Sequence, residues 1–225
     1  MTQLRNGGIL PPLLRSPDMR VKDATFTAID FESAGARPGG TDVPVQIGFA
    51  TMTGTEIDEG SLFTSYLRSD QPITWGARKV HGIRDEDIVD APAFNDLWPR
   101  VRDALGSRVV VAHGSGTEKR FLRAFPFHGF DPWVDTLKVA HAAFPDAESH
   151  SLESLIDMLG LNAAVDAHCP DAQWHDALYD SVASLVLLRE TVRLCELEER
   201  DVEELVDPNR VAYFRRRAAS KQQVE

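Results

Sequence analysis

The stretch FTAIDFESAG, residues 26–35, places two acids one residue apart in an otherwise apolar run. Phe26, Ala28 and Ile29 mark a buried strand, and side chains alternate faces along a strand. Asp30 and Glu32 therefore project from the same face, ~7 Å apart along the backbone. Two carboxylates side by side at the end of a buried strand repel, and each is costly to dehydrate without a partner. A divalent metal would satisfy both, because hard cations take carboxylate oxygens. A strand end whose polar face meets water would satisfy them too, so D-x-E alone decides nothing.

The flanking sequence supplies the fold. VPVQIGFATM (43–52) is apolar and β-branched, and TEIDEGSLFTSYLR (55–68) follows a turn placed at Thr53-Gly54. The three segments predict an antiparallel meander. The period then changes: Ala93, Leu97, Val101 and Leu105 recur at helical spacing just after Ala91-Pro92, the expected helix start. RVVVAH (108–113) predicts a short buried strand, followed by a helix from about Thr117 with Phe121, Leu122 and Phe125 on one face. WVDTLKVA (133–140) predicts a short strand or a strand-to-helix turn. Leu152, Leu155, Ile156 and Leu159 mark a helix ended by Gly160. Residues 162–174 are polar without a clear period, and a long helix is expected from about Asp176 to Cys195. Three strands followed by alternating helices and strands predict an α/β fold, a mixed sheet flanked by helices.

Composition sets the remaining bounds. The 225 residues are 43% hydrophobic and 26% charged, ordinary for a folded soluble chain. No apolar run reaches the roughly 20 residues of a membrane helix. Residues 1–22 lack a secretory pattern and are expected to form a leader on the domain surface. Cys169 and Cys195 imply no disulfide framework, which makes the cytoplasm the expected compartment. The net charge of −11 opposes simple electrostatic capture of nucleic acid. Clustered carboxylates that hold cations reverse that local field, however. Acids crowd 196–204 while Arg210, Arg215, Arg216, Arg217 and Lys221 make the last segment basic, so 197–225 is expected to be a C-terminal helix or tail.

Two later segments echo the first. In VVVAHGSGTEKRFL (109–122) a buried strand ends, a Gly-rich turn follows, and Glu118 falls in the first turn of a helix, where the helix dipole alone also favours an acid. In WHDALYDSVASLVLL (174–188) His175 stands at a helix start and Asp180 lies five residues on, among small and apolar neighbours. An acid buried there needs a partner.

These three segments, in this order, resemble the three motifs of the DEDDh-type (DnaQ-like) 3′–5′ exonucleases of the ribonuclease H-like superfamily. IDFE resembles the D-x-E motif, HDALYD the histidine and aspartate of the third, and HGIRDEDIVDAP (81–92) the connecting H-G-I segment. The similarity spans roughly residues 24–195 and implies an exonuclease domain over 23–196 with a mixed five-stranded sheet. Gly114 and Glu118 stand where the family has Asn and Asp; Glu keeps the charge on a longer arm.

The resemblance implies metal-dependent hydrolysis of terminal phosphodiesters of DNA or RNA, releasing nucleoside 5′-monophosphates. Such chemistry uses two divalent ions, Mg²⁺ or Mn²⁺, about 4 Å apart. Asp30 would bridge them, Glu32 and Asp180 would complete the first position, and Glu118 would act through water. His175 would be the general base. Phe31, Ser33, His81 and Ile83 would lie beside the terminal nucleotide, although an ordinary core contact explains Ile83 and a loop hydrogen bond explains His81 equally well. The expected partners are single-stranded or frayed 3′ ends, with a polymerase as a further candidate and no membrane. A catalytically weakened binding module on the same fold is the competing reading, with Glu118 as its sign.

Overall fold

The computed structural model describes residues 19–37 and 39–222. The expected leader lies almost wholly outside them. Five strands, β1 (Thr25–Ser33), β2 (Pro44–Thr53), β3 (Glu56–Tyr66), β4 (Val109–Ala112) and β5 (Trp133–Asp135), form one sheet in the order β3-β2-β1-β4-β5. β1, β2 and β3 pair antiparallel, and β4 and β5 continue the sheet parallel to β1. The helices are α1 (Trp75–His81), α2 (Asp85–Ile88), α3 (Trp98–Leu105), α4 (Gly116–Leu122), α5 (Thr136–Ala143), α6 (Leu152–Met158), α7 (Asn162–Asp166), α8 (Ala177–Leu194), α9 (Glu203–Val206) and α10 (Arg210–Gln222).

The alternation of β1 sorts its side chains between two cores. Phe26 and Ala28, with Ala50 and Met52 opposite, pack beneath α8, where Val182, Ala183, Leu185 and Val186 are buried. Ile29 and Phe31 point to the other face, toward Val101, Leu105, Phe121 and Leu122 of α3 and α4. Asp30 and Glu32 prolong the face of Phe26 and Ala28, so they emerge where α8 begins.

Three local expectations shift, each for a physical reason. The hairpin turn falls on Gly54-Thr55, with Gly54 at φ +59°, a left-handed value that favours glycine. The helix expected after Pro92 starts at Trp98, because Pro99 fits a helix's first turn. Phe94–Leu97 form a 3₁₀ turn instead, with the Ala93 N–H donating to Asp96 Oδ2 at 3.1 Å. Residues 162–174 contain the short helix α7, whose one buried residue, Val165, is too little to create a visible period.

Beyond α8 the chain stays attached. Leu197, Val202, Leu205 and Tyr213 belong to the main core. Arg216 Nη1 pairs with Glu204 Oε2 at 2.6 Å, and Arg217 Nη1 donates to the Ala143 carbonyl at 2.7 Å. The opposite charges of this segment are therefore partly spent on each other.

Candidate active site

Gly48 lies opposite Asp30 and Gln46 opposite Glu32 on β2, and these two residues fix where α8 starts. A Cβ at Gly48 would come within 2.2 Å of the Ala177 carbonyl carbon and the Leu178 nitrogen, so only glycine lets the helix touch the strand here. Gln46 donates through Nε2 to Asp176 Oδ2 at 2.7 Å and accepts the Ala177 N–H at 3.2 Å. Asp176 in turn caps α8, accepting from the N–H groups of Leu178 (2.9 Å) and Tyr179 (3.4 Å). Asp180 follows within the first turn.

His175 precedes the capping residue with φ +66° and is exposed. Spacing along a regular helix would not aim residues 175 and 180 alike. The left-handed turn puts His175 outside the helix, and a His175 ring nitrogen, a Glu32 oxygen and an Asp180 oxygen lie within 4.8 Å of one another.

The second segment is aimed by β5. After β4 the chain turns at Gly114 (φ +80°), where the N–H groups of Gly114 (3.0 Å) and Ser115 (3.1 Å) donate to the Asp135 carboxylate. Asp135 also caps α5 by accepting the Leu137 N–H at 3.1 Å. One carboxylate thus ties the β4–α4 turn to the neighbouring strand. Glu118 is directed inward and is only 4% exposed. Arg120, on the same short helix, reaches Asp42 Oδ2 at 3.2 Å and holds α4 against the loop that follows β1.

The electrostatics are those of a site built for positive charge. Burial, then the charge of Glu118, pushes Asp30 up to about 8. Burial, then Asp30 and Asp180, raises Glu32 to about 9. Burial, then Asp30, raises Asp180 to about 8 against the pull of the His175 backbone. Burial is also the main cause that lifts Glu118 to about 7. Glu118 Oε2 and Asp180 Oδ1 are buried without a hydrogen-bond partner. Orphaned carboxylate oxygens are expensive, and a hard divalent cation satisfies them where another side chain does not. The donor set, carboxylate oxygens with one imidazole at the rim, fits such an ion.

The remaining expected contacts divide. Phe31 is buried and meets Phe94 and Phe121 edge-on at 5.5 Å, so its ring belongs to the core. Ile83 is likewise buried, with Ala34, Val45, Ile73 and Ile88. His81 accepts the Ile83 N–H at Nδ1 (3.0 Å), which leaves Nε2–H to donate to the Ser33 carbonyl (3.0 Å). It braces the rim beside Glu32. Gln46, Asp135 and Asp176 escaped sequence reading. Gln46 left a signal as a polar residue inside an apolar strand, and Asp176 as a capping type at a helix start.

Residues 27–188 match the family model for exonucleases, RNase_T. The chain belongs to that family. The chain is 31% identical over 164 residues to a DNA polymerase III subunit epsilon-like protein of Rhodobacter capsulatus, covering 71% of this chain and 22% of that one. It is 30% identical over 158 residues to a PolC-type DNA polymerase III of Thermotoga maritima, covering 67% of this chain and 11% of that one. The chain thus spans about a fifth or less of these relatives' length. Its fold matches the solved structure of exonuclease X in complex with 5′ overhanging duplex DNA, with a TM-score of 0.66 and 24% identity over 80% of this chain and 99% of that one. The sheet is the ribonuclease H-like mixed sheet of the DnaQ-like exonucleases.

Proposed function

We propose that the exonuclease removes nucleotides one at a time from single-stranded or frayed 3′ ends of DNA or RNA, and that Asp30, Glu32, Glu118, Asp180 and His175 carry the reaction. The observation behind this reading is the convergence of four carboxylates from β1, α4 and α8, two of them with orphaned buried oxygens. Two divalent ions, Mg²⁺ or Mn²⁺ for such an oxygen-rich set, would supply charge neutralisation at the attacking and leaving oxygens of the phosphodiester. Asp30 feels the charge of Glu118 and acts on that of Asp180, so it would be the residue to share between two cation positions. Glu32 and Asp180 would complete one position, and Glu118 would serve the other through water.

His175 takes the proton of the attacking water at the ring nitrogen that lies beside Glu32 and Asp180. The Phe31–Ser33 backbone, with His81 holding the Ser33 carbonyl, forms the shelf for the terminal nucleotide. A polymerase is the partner the relatives' names favour, and the cytoplasm is the fitting setting. No described helix is long and apolar enough to cross a membrane.

Glu118 provides the test. Glu118→Gln removes a charge from a site that concentrates cations and should lower the rate at least tenfold, an order-of-magnitude expectation. Glu118→Asp should retain substantial activity, with a shifted Mg²⁺/Mn²⁺ preference. Release of mononucleotides from a 3′-labelled oligonucleotide, with and without EDTA, measures both. Equal rates in the parent and Glu118→Gln would remove Glu118 from the site and leave three carboxylates.

A further inference from the structure

Trp75 is 77% exposed, on a helix that borders the candidate site. α1 is fastened to the rim along its length. The Thr74 N–H donates to the Ala34 carbonyl at 2.8 Å, and His81 holds the Ser33 carbonyl at 3.0 Å. Gly35 lies so close that a Cβ there would meet Thr74 Oγ1 at 2.3 Å. Gly35 lies three positions after Glu32, a span of at most about 11 Å. Both ends of α1 are therefore anchored to the chain that leaves the acidic cluster.

The chemistry of this face differs from that of the rest of the chain. In a protein of net charge −11, residues 71–84 (QPITWGARKVHGIR) and 33–41 (SAGARPGGT) contain Arg37, Arg78, Lys79 and Arg84 and no acid. Arg84 pairs with Glu86 at 3.6 Å. Among the described residues no carboxylate pairs with Arg37, Arg78 or Lys79. Residues 75, 78 and 79 share one helix face, and Lys79 Nζ lies 5.4 Å from the centre of the Trp75 ring. An exposed indole next to unpaired cations on an acidic protein is an arrangement that takes bases on the ring and phosphates on the charges. The core-facing residue of α1 is Ala77, which packs against the small cluster that includes Ile73 and Ile83, and Trp75 is not part of that packing.

We infer that α1 is a strand-holding platform: unpaired bases upstream of the terminal nucleotide stack on Trp75 while Arg78 and Lys79 contact the backbone phosphates. The inference rests on the exonuclease reading and adds to it a preference for single strands, because a base must leave its duplex to lie on the ring. Stacking tolerates every base, so the platform holds the strand without selecting sequence.

The experiment compares dodecathymidylate with a thymidine dinucleotide, which spans the scissile bond alone, using the full chain with Mg²⁺ or Mn²⁺. Trp75→Ala should raise KM for the dodecamer about tenfold relative to KM for the dinucleotide, the usual worth of one stacked base. Trp75→Phe should restore most of it. Reversing two charges with Arg78→Glu and Lys79→Glu should lower the slope of log KM against log salt by about 1.4, if each residue meets one phosphate. Anisotropy of a labelled dodecamer, measured without catalysis in EDTA, separates the two readings. A chain that binds through Trp75 but cuts nothing would fail the exonuclease reading and keep the platform. A chain that cuts both substrates, with an unchanged KM ratio and salt slope in the variants, would overturn the platform and leave this face to a protein partner.

Discussion

His175 sits at φ +66°, a conformation that costs a non-glycine residue roughly 1–3 kcal/mol unless its surroundings enforce it. The enforcing contacts are next door, in the Asp176 cap and its bond to Gln46. The strained turn is what aims the imidazole at Glu32 and Asp180. His175→Ala should therefore lower kcat by about 10²–10⁴-fold, the usual share of a general base, while KM changes little. The pH–rate profile of the variant checks the assignment: a profile identical to that of the parent would exclude His175 as the base. The buried neighbours of His175 behave differently. Asp30→Asn should abolish measurable turnover, yet it should raise the Tm of the metal-free protein, since it removes repulsion felt by Glu32 and Asp180. Each kcal/mol recovered appears as about 2–4 °C in a chain of this size. A variant that loses activity and also stability would count against Asp30 as part of a strained acidic cluster.

At the scale of elements, the decisive contact is α8 on β2. The helix is apolar on most sides because it lies in the middle of one sheet face, and small residues at the contact let it come close: Ala28, Ala50, Ala177 and Ala183 are all buried. Gly48 is the extreme case. Gly48→Ala would force the first turn of α8 away from the strand opposite Asp30, carrying Asp180 and His175 with it. Overpacking of this kind costs typically about 1–3 kcal/mol. The expected result is a lower Tm together with a loss of kcat far larger than the loss of folded protein explains. Calorimetry and single-turnover rates on one preparation test this, and a stable variant with normal rates would show that α8 is not positioned by that contact.

For the whole molecule, four raised carboxylates make metal-free stability depend on pH. Asp30, Glu32, Glu118 and Asp180 hold protons in the folded state up to about 7–9, while the unfolded chain releases them near 4. The folded state binds more protons across that window, so stability falls as pH rises. The contribution is complete below about pH 4 and gone by about pH 9. Divalent cations replace those protons, so Mg²⁺ or Mn²⁺ should raise Tm more at pH 9 than at pH 6. Thermal melts at both pH values, with EDTA and with metal, measure the difference. A metal-induced shift that stayed constant with pH would mean that the ion binds outside the four carboxylates.

The sequence by itself determined the strand meander, the alternation that turns Asp30 and Glu32 to one face, and the acids at helix starts that stand out as candidates. Those features are local: a period of two, a period near 3.6, and a polar residue where burial is expected all leave marks within ten residues. The start of α3 and the short α7 were misplaced or missed, because a proline tolerated in a first turn and a helix with one buried side chain leave only weak marks. Gln46, Asp135 and Asp176 became meaningful only in the tertiary structure, since their partners lie on other elements: Gln46 and Asp176 are separated by 130 residues, and Asp135 and Gly114 by 21. The same holds for His175, whose five-residue spacing from Asp180 has no helical meaning. Packing of α8 against Gly48 made it a neighbour of Glu32, because hydrogen bonds across the sheet fix a backbone turn that no local preference would choose.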